Sequence, residues 1–428
     1  MSAHPLCHVC GVTRATRACA KCTGPRAILC GPPCGARHAA SCGVKLTAAE
    51  IHEMIGTRAP TNEPTVPSLK GANYEPIPDH AIGVQGEWPT PLDCSIYTSR
   101  NKRESQQDTA FARVVPPGPT DGAQSILISG ILDGHGDEAG CATFVAKHLV
   151  EILTKYVEGE FRTLGAAEFT DKTLADVTAQ MKTIFEAVDE AYFTFARNWG
   201  AGAYLGSGST ASVAIFAPMR TKPGHYRQII VTVGDSPVIL LKSRTDVAQM
   251  SIDDTTAVPE ERARVDRSVT GRVGGDGGVY VTEEGTDKTH NSAITRAFGN
   301  VDYKREALLS PMVVTPRVAA FEVAPGDISV LCSDGVFPSI YAGENAFLPV
   351  PVVYHATSLT RDITGVGRGI RTPPSPNILS DLIYDADGTV SLAKVIVDAA
   401  VASRCKDNAT AIVVSLPLVD EGRARAMD

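Results

Sequence analysis

The chain has 428 residues, 43% hydrophobic and 21% charged, with a mean hydropathy of −0.02 and a formal net charge of −8. That balance argues against a disordered chain and a membrane-spanning one, and the length predicts one core of roughly 200 to 300 residues with smaller appendages. No apolar run approaches the roughly 18 residues of a transmembrane helix, and the start MSAHPLCHVC lacks a signal-peptide pattern, so an intracellular, cytoplasmic or nuclear, location is expected.

Charge and cysteine both divide the chain near residue 46. Residues 1–49 carry Arg14, Arg17, Lys21, Arg26, Arg37 and Lys45 and no acid. Subtracting that +6 from the whole-chain −8 leaves −14 for the remainder. Seven of the eleven cysteines lie in the first 42 residues, while Cys94, Cys141, Cys332 and Cys405 are scattered, which is no disulfide scaffold. The spacing Cys7-x2-Cys10, Cys19-x2-Cys22, Cys30-x3-Cys34, His38 and Cys42 supplies eight soft ligands. Zinc takes four tetrahedrally, so the eight divide into two closed structural sites, one of four cysteines and one of three cysteines and a histidine. Metal binding supplies the folding free energy that so short a segment cannot obtain by burial.

The run CHVCGVTRATRACAKCTGPRAILCGPPCGARHAASC resembles the HIT-type zinc finger and is similar to the MYND finger. The resemblance implies interleaved ligation, with Cys7, Cys10, Cys30 and Cys34 on one zinc and Cys19, Cys22, His38 and Cys42 on the other. Leu29 departs from the aromatic usual before the fifth ligand. Such fingers mostly bind proteins. Because thiolate zinc sites carry negative charge, the +6 falls to roughly +3, and protein docking is favoured over a purely structural role or nucleic-acid contact. The domain reading is a finger over 1–46 and a linker over 47–88, with a short helix at 47–55 and proline-rich extended chain at 56–85. A large domain follows over 89–418, and a tail over 419–428.

Within that domain, β-like apolar runs occur at 125–132, 210–216, 228–233, 328–332 and 409–415, and helical spacing at 139–157, 172–197 and 391–403. This predicts mixed α and β structure. Residues 341–388, with PPSP at 373–376, read as a surface loop insertion.

The acids carry the chemistry. Asp133 follows the apolar run ISGIL, Asp334 follows SVLCS, and Asp407 precedes NATAIVVS, each with Gly or Asn next. A single Asp-Gly pair is ordinarily a turn. Three carboxylates at the rims of buried strands are costly unless paired or metal-bound, and oxygen donors without Cys or paired His favour Mg or Mn over Zn. The small following residues are expected to let backbone and water approach the ion.

Their companions are RNKRESQQDTAF at 100–111, DGHG at 133–136, SGSTASVAIF at 207–216, VTVGDSPVILL at 231–241, Gly277-Gly278, AITRAFGN at 293–300, SDG at 333–335 and Asp407-Asn408. In this order the chain from about 90 to 418 resembles the metal-dependent serine/threonine phosphatases of type 2C, the PPM family. The resemblance implies an α+β fold, a four-layer α-β-β-α sandwich of two antiparallel sheets flanked by helices, with a binuclear Mg or Mn centre at one edge. It implies that Asp133 bridges the ions, that the Gly134 carbonyl contacts one, and that Asp334 and Asp407 hold the other. Asp108 would orient metal-bound water, Arg103 would bind substrate phosphate, and His135 would protonate the leaving seryl or threonyl oxygen. The expected partners are a phosphoserine or phosphothreonine protein as substrate and a protein docked on the finger.

The chain departs from that pattern at Gln107, where many relatives place Glu, and at Leu205 and Pro338, where acids of a third, weaker metal site stand in some members. Pro237 in VGDSP replaces a common Arg and is expected to be a local surface change. The competing reading is a catalytically weak or inactive adaptor that binds phosphoproteins; Asp133, Asp334, Asp407 and Arg103 favour the enzyme.

Overall fold

The computed structural model describes residues 17–18, 28–29, 46–55, 92–115, 125–136, 140–164, 169–198, 206–282, 289–304, 310–336, 378–403 and 405–416. The eight expected zinc ligands, the proline-rich stretch, Leu205, Pro338 and the tail lie outside the described residues. Within the cysteine-rich segment, Arg17–Ala18 and Ile28–Leu29 pair antiparallel.

Ten strands form two five-stranded sheets. In chain order they are β1 (Asp93–Ser99), β2 (Thr109–Val115), β3 (Ile126–Leu132), β4 (Ala211–Pro218) and β5 (Tyr226–Val233). They continue with β6 (Val238–Leu241), β7 (Val247–Gln249), β8 (Arg317–Val323), β9 (Ile328–Cys332) and β10 (Ala409–Ser415). One sheet is ordered β8-β5-β4-β3-β2 and the other β7-β6-β9-β10-β1. Every neighbouring pair is antiparallel. The helices are α1 (Ala48–Ile55), α2 (Gly140–Leu164), α3 (Asp171–Asn198), α4 (Pro259–Arg267), α5 (Ile378–Tyr384) and α6 (Leu392–Ala402).

The central strands are apolar along both faces because each face meets a different layer. In β3, Ile126, Ile128 and Leu132 join the core beneath α2 and α3, while Leu127 and Ile131 point the other way, into the core between the sheets. In β10, Ala409, Ala411 and Val413 pack against α5 and α6, and Ile412 and Val414 enter the inter-sheet core. The period of two thus sorts side chains between cores rather than between core and water. The packing order is helices, sheet, sheet, helices.

Three sequence expectations need correction. The helix α1 lies within the predicted linker, yet Ile51 is fully buried and packs with Leu46 into the core shared by α2 and α3. A reciprocal cap starts it: the Glu50 amide donates to Thr47 Oγ1 (3.2 Å) and the Thr47 amide to the Glu50 carboxylate (3.0 Å). Gln180 Nε2 on α3 donates to the Leu46 carbonyl (3.0 Å), so among the described residues the packed unit already includes residue 46. The predicted insertion 341–388 ends in α5, where Leu379 and Ile383 are buried; the prolines at 373–376 hid the apolar spacing behind them. Pro237 is not a surface change: it is buried at the entry to β6, and its carbonyl accepts from the Cys332 amide (3.2 Å).

There are also two three-stranded sheets. Gly271–Val273, Val279–Thr282 and Thr289–Ser292 form one, which shares a separate core with α4. Gly134–His135, Gly208–Ser209 and Phe298–Gly299 form the other. Among the described residues no helix is long and apolar enough to cross a membrane.

Candidate active site

Face-to-face packing brings together strand ends that are far apart in sequence. Asp133 leaves β3 in one sheet, while Asp334 leaves β9 and Asp407 enters β10 in the other. The Asp334 amide lies 3.4 Å from Asp133 Oδ2. Arg103 Nη2 donates to Asp407 Oδ2 at 2.5 Å. That hydrogen bond holds the guanidinium more firmly protonated against its partial burial, and the charges of Asp407, Asp334 and Asp133 add to it. Arg103 therefore stands within the field of all three predicted acids.

Asp108, at the entry to β2, is 4% exposed and accepts from Thr410 Oγ1 at 2.7 Å and from Ser333. Burial pushes its carboxyl up to about 7; the two hydroxyl bonds oppose that shift, and the charges of Asp334 and Asp407 add to it. Burial also drives Asp133 well above the carboxylate range, and Asp334, Asp108 and Asp235 push it in the same direction. A carboxyl edge of this kind favours binding positive charge.

The loops that carry these groups are stitched by amides. Asn408 Nδ2 donates to the carbonyls of Arg100 (2.9 Å) and Ser105 (3.0 Å), and its Oδ1 accepts from the Gln107 amide (2.8 Å). Asn101, in the left-handed region at φ 55, returns the tie through Nδ2 to the carbonyls of Cys405 (2.6 Å) and Asp407 (3.0 Å). The two asparagines thus fasten the loop bearing Arg103 to the one bearing Asp407 by five hydrogen bonds, beside that of Arg103 itself.

The glycines after the acids serve close backbone packing. A Cβ on Gly335 would strike the Asn408 carbonyl, and one on Gly134 the Gln107 carbonyl. Gln107 gains a bond that Glu could not make, because its Nε2 donates to the Gly136 carbonyl at 2.8 Å.

His135 belongs to the small sheet, paired with Gly208. Its Nε2 lies 2.8 Å from Asn300 Oδ1. Burial lowers its pKa, the Asn300 bond opposes that, and the charge of Lys304 lowers it further.

Five predicted residues, Arg103, Asp108, Asp133, Asp334 and Asp407, thus share one edge, with Gly134 and His135 beside them. Sequence reasoning assigned no role to Asp235, Asn101, Asn300 or Asn408. Asp235 follows β5 as Asp133 follows β3, a signal that was available; the asparagines act through tertiary contacts that no spacing discloses. Among the described residues no three His, Cys, Asp or Glu side chains stand close enough to enclose an ion, and Arg103 and Thr410 occupy oxygens of Asp407 and Asp108.

The sequence matches the protein phosphatase 2C family over residues 93–344. The fold is similar to that of a serine-threonine phosphatase 2C from Toxoplasma gondii, at 16% identity and TM-score 0.51, covering 77% of this chain and 96% of that one. It is also similar to a sex-determining protein of C. elegans, at 19% identity and TM-score 0.50, covering 78% of this chain and 67% of that one.

Proposed function

This chain belongs to the protein phosphatase 2C family and is a protein serine/threonine phosphatase, and from that premise we propose that the carboxyl edge hydrolyses phosphoserine and phosphothreonine monoesters with two Mg2+ or Mn2+ ions. The observation that carries this is the convergence of acids from different sheets, with the Asp334 amide 3.4 Å from Asp133 Oδ2 and Arg103 bonded to Asp407 beside them. The donors are carboxylate and carbonyl oxygens, which suit hard divalent cations. Asp133, the Gly134 carbonyl, Asp334 and Asp407 would hold them. When bound, such ions acidify water and stabilise charge on phosphoryl oxygens.

The chain's own residues do the rest. Arg103 offers a planar fork to two phosphoryl oxygens; its fork rests on Asp407 here, so substrate phosphate and Asp407 compete for one guanidinium. Asp108, fixed by Thr410 and Ser333, orients the attacking water. His135 gives a proton to the seryl or threonyl oxygen as the P–O bond breaks. Hydrolysis of an aryl phosphate with Mn2+, with and without chelator, tests this reading against Asp334→Ala. Turnover that ignores the chelator or survives the substitution sinks it.

The cysteine-rich segment completes the proposal. Cys7, Cys10, Cys30 and Cys34 would bind one zinc, and Cys19, Cys22, His38 and Cys42 a second, forming a docking module for a protein partner. Elemental analysis of the full chain purified without chelator should find about two zinc ions per chain; none would refute the module.

A further inference from the structure

His135 is gripped from one side by a residue with no assigned part in the chemistry. Asn300 is 5% exposed and takes the left-handed conformation at φ 52, with its amide donating to the Ser207 carbonyl (2.9 Å). Its side-chain Nδ2 lies 3.4 Å from the Gly206 carbonyl. A carbonyl can only accept, so that contact places the amide nitrogen on Gly206 and Oδ1 on His135 Nε2. An amide oxygen also only accepts, so Nε2 must carry the hydrogen. Among the described residues Nδ1 has no hydrogen-bond partner.

The grip is anchored in the core. Asp189 on α3 is 4% exposed; its Oδ1 accepts from the Gly299 amide (2.7 Å) and its Oδ2 from Lys304 Nζ (2.7 Å). Lys304 also donates to the Ala297 carbonyl (2.6 Å). The turn carrying Asn300 is thus pinned on both sides to one helix. Gly208 closes the other side, where a Cβ would strike both Asn300 Oδ1 and His135 Nε2.

We propose that Asn300 is a positioning residue for His135, fixing the ring with its hydrogen on Nε2 and leaving Nδ1 as the nitrogen that serves the leaving oxygen. This rests on His135 being the proton donor. In that step His135 acts as the imidazolium, its second proton taken up on Nδ1 from solvent; the P–O electron pair goes to the seryl or threonyl oxygen, which takes that Nδ1 proton, and the ring returns to the neutral form with Nε2–H still on Asn300.

The test uses the full chain with Mn2+ and two substrates that differ in need for a proton: phenyl phosphate, with a basic leaving group, and p-nitrophenyl phosphate, with a weakly basic one. His135→Gln should slow phenyl phosphate about 100-fold and the nitrophenyl ester only about 3-fold. Asn300→Ala should show the same split at about ten-fold on phenyl phosphate, and Asn300→Asp, which keeps the acceptor, should restore it. Equal slowing of both substrates by Asn300→Ala, or none, overturns the inference. In parallel, long-range proton–nitrogen NMR of the histidine-labelled chain should place the hydrogen on Nε2 in the parent and on a mixture of nitrogens in Asn300→Ala. A parent ring protonated on Nδ1 alone overturns the inference whatever the kinetics. A His135→Gln variant without the split refutes the proton-donor role itself, and the inference falls with it.

Discussion

Two clusters of carboxyl groups adjoin at the turn after β5, and they are balanced in opposite ways. Gly234 ties one: its amide donates to Asp254 Oδ2 (3.0 Å), while the next residue, Asp235, acts on Asp133 in the other. In the first cluster, Arg317 Nε bonds Asp254 (2.6 Å), and Arg296 and Arg317 both bond Glu261 Oε1, at 2.5 and 2.9 Å. Arg264 adds a third guanidinium on Glu261. Burial raises the Glu261 carboxyl, but Arg296 and Arg264 outweigh it and the group ends below its usual value. Burial raises Asp254 to about 6 while Arg296 and Arg317 pull it down. In the second cluster none of the leading influences on Asp133 or Asp108 is a cation. Asp254 and Glu261 each bond guanidinium groups directly, whereas the one guanidinium of the second cluster, Arg103, is bonded to Asp407, and among the described residues Asp133 and Asp108 bond no cation. That difference separates a fastening of the fold from a site for external cations.

Substitutions should divide along the same line. Asp133→Asn should lower phosphatase turnover by about 10³-fold or more, while the melting temperature of the metal-free protein stays level or rises, because a repelling carboxylate is gone. A fall in that melting temperature would mean the acid edge is a fastening after all. Arg317→Met, at the balanced cluster, should cost about 3–5 kcal/mol by denaturant titration, since Asp254 and Glu261 keep their charges without that partner. A loss under about 1 kcal/mol would show that the network can rearrange.

Smaller effects sharpen the account at its margins. Ile51→Ala should cost about 2–4 kcal/mol with turnover per folded molecule unchanged, because α1 packs on α3 far in sequence from the acids. No loss of stability would return that helix to the linker. Arg103→Lys keeps the charge but not the fork, and KM for a phosphopeptide should rise about ten-fold; an unchanged KM would assign Arg103 to holding Asp407.

Much of this was legible in the chain itself. Apolar runs ending in Asp133 and Asp334, or beginning after Asp407, marked both the sheets and the acids, because a strand that is buried on both faces leaves an unbroken hydrophobic signature. What the sequence could not show was the support. Asn408 and Asn101 act across some 300 residues of chain, and Asn300 reaches His135 across 165, so nothing local distinguishes them from turn asparagines. Pro237 was misjudged, and the bond made by Gln107 could not be foreseen, for a related reason: burial and the identity of a donor's partner are tertiary facts. The helix expected at 47–55 forms as α1 but was assigned to the linker, and α5 was missed, because each adjoins a proline-rich stretch whose composition dominates the window.

Calorimetric titration of Mn2+ into the full chain tests the central claim most directly. The account predicts saturable binding by the parent that is lost or greatly weakened in Asp133→Asn, whereas Arg317→Met, once shown to be folded, retains it. Identical isotherms for the parent and Asp133→Asn would contradict it.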